Sequence, residues 1–105
     1  MTEREIEKIF VKEVEKLGGK AFKWISPGNT GVPDRIVIFP HTRPVFVELK
    51  RKEGHLTPVQ RAQLKVLSNL GQNIYVLKGI EGARNFFWRY RFFDTAKDLE
   101  ERYDL

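Results

Sequence analysis

Apolar residues near the start of the chain fall at Ile6, Ile9, Phe10, Val14 and Leu17, a single stripe at helical spacing. Thr2 and Glu5 form a T-x-x-E capping box ahead of that stripe, and Gly18-Gly19 stops it. The pattern then changes to a short strand over Lys20–Ile25, where Phe22 and Trp24 alternate with Lys23. The stretch SPGNTGVPD has the turn chemistry of a loop. RIVIF, Arg35–Phe39, predicts a buried strand, and VFVELK, Val45–Lys50, predicts its hairpin partner across the five-residue turn PHTRP. Thr57-Pro58 opens a second helix whose apolar positions Val59, Ala62, Val66, Leu67 and Leu70 share one face, with Gly71 as its stop. NIYVLK, Asn73–Lys78, predicts a fourth strand, and the tail is expected to be helical from about Ala83. The predicted order is αβββαβ plus a C-terminal helical segment, within a single α/β domain spanning 1–105.

Composition narrows the function classes. With 105 residues there is room for one core. No apolar run approaches the ~18 residues that a membrane span needs, and the N-terminus is charged from its first residues, so the expected setting is cytoplasmic with no membrane partner. The absence of cysteine excludes disulfides, thiolate metal sites and a cysteine nucleophile, and the two histidines, His41 and His55, argue against a histidine-built zinc site. The net charge of +5 points towards a polyanion, nucleic acid first. Acids crowd the two ends of the chain. Between Gly18 and Arg91 there are only Asp34, Glu48, Glu53 and Glu81.

Two of those isolated acids suggest a site. Glu48 and Lys50, two apart on a strand, project from one face, and the hairpin brings Asp34 towards them. Two carboxylates, helped by a backbone carbonyl such as that of Leu49, suit Mg²⁺ or Mn²⁺ with waters completing the shell. Such a cation polarises a phosphoryl oxygen and activates a water, while Lys50 can steady the growing negative charge. The same residues also read as a solvated cross-strand ion pair and a turn aspartate after Pro33, because D-x(n)-E-x-K matches many unrelated strands.

Pro33-Asp34 with Glu48-Leu49-Lys50 resembles the PD-(D/E)XK nuclease signature. The longer run GGKAFKWISPGNTGVPDR, VFVELK, GHLTPVQ and LGQNIYVL closely resembles the VRR-NUC domain, a branch of that superfamily. The resemblance covers the chain from the first helix to about Lys78. It implies a restriction-endonuclease-like core at about residues 3–78, with a central mixed sheet flanked by helices and an aromatic, basic extension over about 79–105. It implies that Asp34 and Glu48 are metal ligands with the Leu49 carbonyl, that Lys50 is the catalytic lysine, and that Gln60 faces the site from the second helix. Glu7 corresponds to a first-helix acid that some relatives add to the metal shell, with Glu3 and Glu5 as rivals. Lys23, Ser26, Gly28, Arg35, Arg51 and Lys52 are the expected nucleic-acid contacts, Arg35 alternatively bracing Asp34.

The activity so implied is a Mg²⁺-dependent endonuclease on DNA that leaves a 5′-phosphate. Small stand-alone relatives resemble Holliday junction resolvases, so branched DNA and a homodimer are expected. Competing readings are a non-catalytic nucleic-acid-binding module of the same fold and a sequence-specific restriction-type nuclease. Phe86, Phe87, Trp88, Tyr90, Phe92 and Phe93 crowd the tail; the core can absorb some of them but hardly all, so a dimer interface is expected, with base stacking as the weaker competitor.

Overall fold

The computed structural model describes all residues, Met1–Leu105. Its elements are α1 (Glu3–Lys16), β1 (Lys20–Lys23), β2 (Arg35–Ile38), β3 (Val45–Lys50), α2 (Pro58–Asn69), β4 (Asn73–Lys78), α3 (Gly79–Arg89) and α4 (Phe93–Tyr103). The sheet runs β1-β2-β3-β4 in space, antiparallel through β3 and parallel between β3 and β4. A parallel pair needs a crossover, and α2 supplies it. Together these elements make a single α/β domain with a mixed sheet.

Side-chain alternation decides which face of the sheet becomes core. On β3 the odd positions Val45, Val47 and Leu49 are buried, and they align with Tyr75 and Leu77 of β4 and with Val37 of β2. Ile6, Phe10 and Val14 of α1 join this cluster, as the helical spacing predicts. Phe22, Ile36, Phe46 and Ile74 align across the opposite face. Glu48 and Lys50 continue that face at the strand end.

The structure corrects several boundaries. β1 ends at Lys23, and Ile25 lies exposed beyond it. β2 ends at Ile38 because the Thr42 hydroxyl takes both backbone groups of Phe39, accepting from its N–H at 3.2 Å and donating to its carbonyl at 3.0 Å. Phe39 therefore belongs to the turn, although its ring is buried. The predicted apolar face of α2 is not its buried one. Only Leu64 is buried there, while Val59, Val66 and Leu70 are 49%, 52% and 68% exposed. Gln60 lies over the end of the sheet, and that pose turns Val59 and Val66 outward.

The tail forms two helices. α3 begins at Gly79, ahead of Ala83, and the chain reverses at Tyr90–Phe92, where Arg91 adopts a left-handed φ of 64°. The aromatic cluster is mostly core, contrary to the expected dimer interface. Phe86 and Phe87 are fully buried, Tyr90 and Phe92 pack against the same cluster, and Phe10 and Phe39 complete it edge-on and tilted. Only Trp88 and Phe93 remain outside, stacked edge-on at 4.9 Å. With Ile80, Ala83, Ala96 and Leu99 also buried, the extension closes the core. A short chain needs this aromatic volume because helices cover little of its sheet otherwise.

Truncating Phe87 to Ala is therefore expected to cost about 3–5 kcal/mol, as for other buried aromatics. Trp88→Ala is expected to shift stability by no more than about 1 kcal/mol. Urea unfolding of the two variants checks the contrast.

Candidate active site

The β2–β3 register pairs Arg35 with Val47, so its next step sets Asp34 opposite Glu48. The Leu49 backbone N–H donates to Asp34 Oδ2 at 2.8 Å, which fixes that carboxylate against the strand. The Leu49 side chain points into the core, so this residue contributes its backbone to the site. Glu48 is only 2% exposed and Lys50 only 6%. The Lys50 ammonium lies 3.7 Å from Glu48 Oε2 and 3.9 Å from Glu3 Oε1. Both distances are too long for hydrogen bonds. No buried polar side-chain atom in the fold lacks a partner. The ammonium tip is thus free to meet an incoming water or anion.

Gln60 does two things at once. Its Oε1 accepts from the Thr57 N–H at 2.9 Å, and its Nε2 donates to Glu48 Oε2 at 3.1 Å. The Thr57 hydroxyl in return accepts from the Gln60 N–H, completing a capping box at the start of α2. The cap settles which way the amide faces, so the N-terminus of α2 is clamped to the buried carboxylate. Sequence reading placed Gln60 at the site but missed the box, although T-x-x-Q was its visible signal.

The other expected residues are dispersed. Glu7 Oε2 accepts from Arg35 Nε at 2.7 Å, and Arg35 also donates to the Ala21 carbonyl. Arg35 therefore braces Glu7 rather than Asp34, and Glu3 is the first-helix acid that reaches Lys50. Ser26 holds its own loop, its Oγ accepting from Asn29 Nδ2 at 3.2 Å. Gly28 sits exposed at a φ of 79° with open space where a Cβ would be. Gly31 has a structural task. A Cβ there would come within 2.7 Å of Val59 Cγ1 and 2.9 Å of the Gln60 nitrogen. Only glycine lets the loop seat on the first turn of α2. Lys23 and Arg51 are exposed, whereas Lys52 is paired with Glu81 at 3.1 Å.

Electrostatics mark the acid pair as strained. Burial, then the charge of Asp34, pushes the Glu48 carboxyl up to about 7, with Lys50 pulling the other way. Burial also raises Asp34, with Glu7 and Glu3 adding to the effect and the Leu49 N–H opposing it. No three His, Cys, Asp or Glu side chains form a ready cage. Two facing carboxylates with excess negative charge fit a hard divalent cation that keeps waters and takes oxygens from its substrate.

A family model described as the VRR-NUC domain matches residues 2–81, from the cap of α1 into α3. "Putative nuclease p44" of Acyrthosiphon pisum secondary endosymbiont phage 1 is 45% identical over 75 residues, 71% of this chain and 81% of that protein. A solved structure described as a VRR_NUC domain superimposes with a TM-score of 0.78 at 27% identity, covering 84% of this chain and 96% of its own. A second, described as a VRR_NUC domain protein, gives 0.64 at 22% identity over 86% and 88% of the two chains, a likeness of fold.

A carboxyl whose folded value exceeds its ordinary 4.5 binds more protons folded than unfolded between 4.5 and about 7, so stability falls as pH rises through that window. Glu48→Gln, which cannot ionise, is expected to raise the metal-free Tm at pH 8 by about 4–8 °C, the effect of ~1 kcal/mol in a small domain. At pH 5 the change should be near zero. Thermal melts in EDTA at the two pH values measure it. Equal shifts at both would show that Glu48 carries no such strain.

Proposed function

The chain belongs to the VRR-NUC domain family, a nuclease family, and we propose on that footing that it is a divalent-metal-dependent endonuclease acting on DNA, with Asp34 and Glu48 as ligands. The observation that carries this reading is the pair of facing, desolvated carboxylates with the Lys50 ammonium 3.7 Å from Glu48 Oε2. In a structural ion pair one carboxylate would suffice. A second one beside it raises the energy of the apo state, which a dication reverses.

A cation bound there would supply Lewis-acid polarisation of a phosphodiester and a water ionised near neutral pH. The chain's own residues do the rest. Lys50 offers its ammonium to a non-bridging phosphate oxygen, stabilising charge that grows as the nucleophile arrives. Gln60 holds Glu48 in one rotamer, so the ligand geometry is set before substrate binds. The Leu49 N–H does the same for Asp34, and the Leu49 carbonyl is available as a third oxygen ligand. The Ser26–Gly31 loop, seated by Gly31, borders the site and offers Gly28 for close backbone approach to DNA.

The finer reading is a homodimer that cuts branched DNA. Its support is the set of apolar residues Val59, Val66 and Leu70 exposed along α2. Two copies related by a two-fold axis would present two sites to a two-fold junction.

Purified protein with Mg²⁺ or Mn²⁺ is expected to cleave a four-way junction faster than linear duplex or single strand of the same sequence. Glu48→Gln and Lys50→Ala should each lower the rate by at least about 10²-fold. Mn²⁺ should raise the Tm of the parent chain and not that of Glu48→Gln. Cleavage that persists in Glu48→Gln or without divalent metal would overturn the site. Light scattering at one chain's mass would overturn the dimer.

A further inference from the structure

We infer that the exposed face of α1 is a phosphate track, in which Arg4, Lys8 and Lys12 with Lys23 of β1 bind one sugar–phosphate backbone without regard to base sequence. The inference rests on the nuclease reading and extends it to residues that reading leaves unused. Helix α1 looks acidic as a segment, yet its charges separate by face. Arg4, Lys8 and Lys12 follow at steps of four residues, so they lie in one slowly turning row. All three are exposed, as is Lys23, and none of the four takes part in an ion pair.

These side chains line an open trough of about 480 Å³ between α1 and the start of the sheet. Arg35 also lines it, which makes five cations against two carboxylates, Glu7 and Glu15. Glu7 is neutralised by Arg35, so the trough is net positive along its length. Arg4, at one end of the row, directly follows Glu3, whose carboxylate lies 3.9 Å from the Lys50 ammonium of the site.

The chemistry of the lining selects the ligand. Val11 is its one apolar residue, and it holds no aromatic ring. That excludes an apolar protein segment and base stacking, and leaves point charges that suit phosphate oxygens. Eight residues of helix rise about 12 Å from Arg4 to Lys12. A strand of duplex advances roughly 3.4 Å per phosphate along its axis, so the row faces roughly three phosphates. The other basic candidate, at the end of β3, is weaker, because Lys52 spends its charge on Glu81.

The test is salt-dependent binding of fluorescent linear duplexes of two unrelated sequences and of a four-way junction. It uses the full chain carrying Glu48→Gln so that nothing is cut. Adding Arg4→Gln, Lys8→Gln and Lys12→Gln should lower the slope of log affinity against log salt by about 2–3, equally for both duplex sequences. A charge-matched triple, Arg43→Gln, Arg91→Gln and Lys97→Gln, should lower it by less than about 1. All six are exposed and unpaired, and circular dichroism is the check that both triples fold. In an otherwise parental enzyme the α1 triple should raise KM and leave kcat within about twofold. Equal slopes for the two triples, or an unchanged slope for the α1 triple, would overturn the track, while cleavage by the parental enzyme upholds the nuclease reading. A parent that binds none of the three DNAs at low salt would overturn both.

Discussion

Glu48 is a carboxylate buried at the end of a strand with a second carboxylate opposite it, and much of the surrounding architecture follows from keeping it there. Removing a charged group from water is costly unless partners compensate. Here compensation is deliberately incomplete. Lys50 stands at ion-pair distance without a hydrogen bond, and Gln60 supplies a neutral donor. A fully satisfied pair would be more stable and less reactive. The remaining deficit, visible as the upward displacement of both carboxyls, is a preference for positive charge stored in the fold.

Holding that deficit requires rigid support. Register supplies the first part, since antiparallel pairing of Arg35 with Val47 leaves Asp34 no position other than facing Glu48. The parallel addition of β4 buries the other edge of β3, which puts Leu49 in the core while its backbone serves the site. Helix α2 is the second part. Its capping box makes the start of the helix and the orientation of Gln60 one event, so melting the first turn of α2 would release Glu48. The seating of Gly31 on that turn ties the neighbouring loop to the same event.

Much of this was legible in the sequence because the signals were local. Thr2, Thr57, Pro58 and the glycine stops announce the helices, and the strand over Asn73–Lys78 falls where its pattern puts it. Asp34, Glu48 and Lys50 converge because two-residue alternation and a short hairpin leave few other outcomes, whereas Gln60 was placed beside them only by the family resemblance. What failed was non-local. The apolar residues of α2 looked like a core face, yet Gln60 reaches Glu48 from this helix, and Val59 and Val66 stay about half exposed outside the core. The tail aromatics looked surplus to a small core, because counting them does not reveal that α3 and α4 fold back to cover the sheet beside Phe10 and Phe39. Glu3 and Glu7 could not be ranked without knowing that Arg35 points away from Asp34 and takes Glu7 for itself.

Helix α1 joins these threads. One face carries Ile6, Phe10 and Val14 into the core, and Glu13 on its flank is buried against Lys16 and Arg102, pinning α4. Its first turn sets Glu3 near Lys50, and another face presents a row of free cations. A purely basic helix here would lower the carboxyls of the site towards their ordinary values and weaken their demand for a dication. A purely acidic one would repel phosphate. Acids near the site with cations on the outer face satisfy both requirements, because Coulomb interactions through the protein fall off less steeply than those screened by solvent. The mixed charge that makes this segment unremarkable in composition is thus what allows one helix to strain the site and still admit a polyanion.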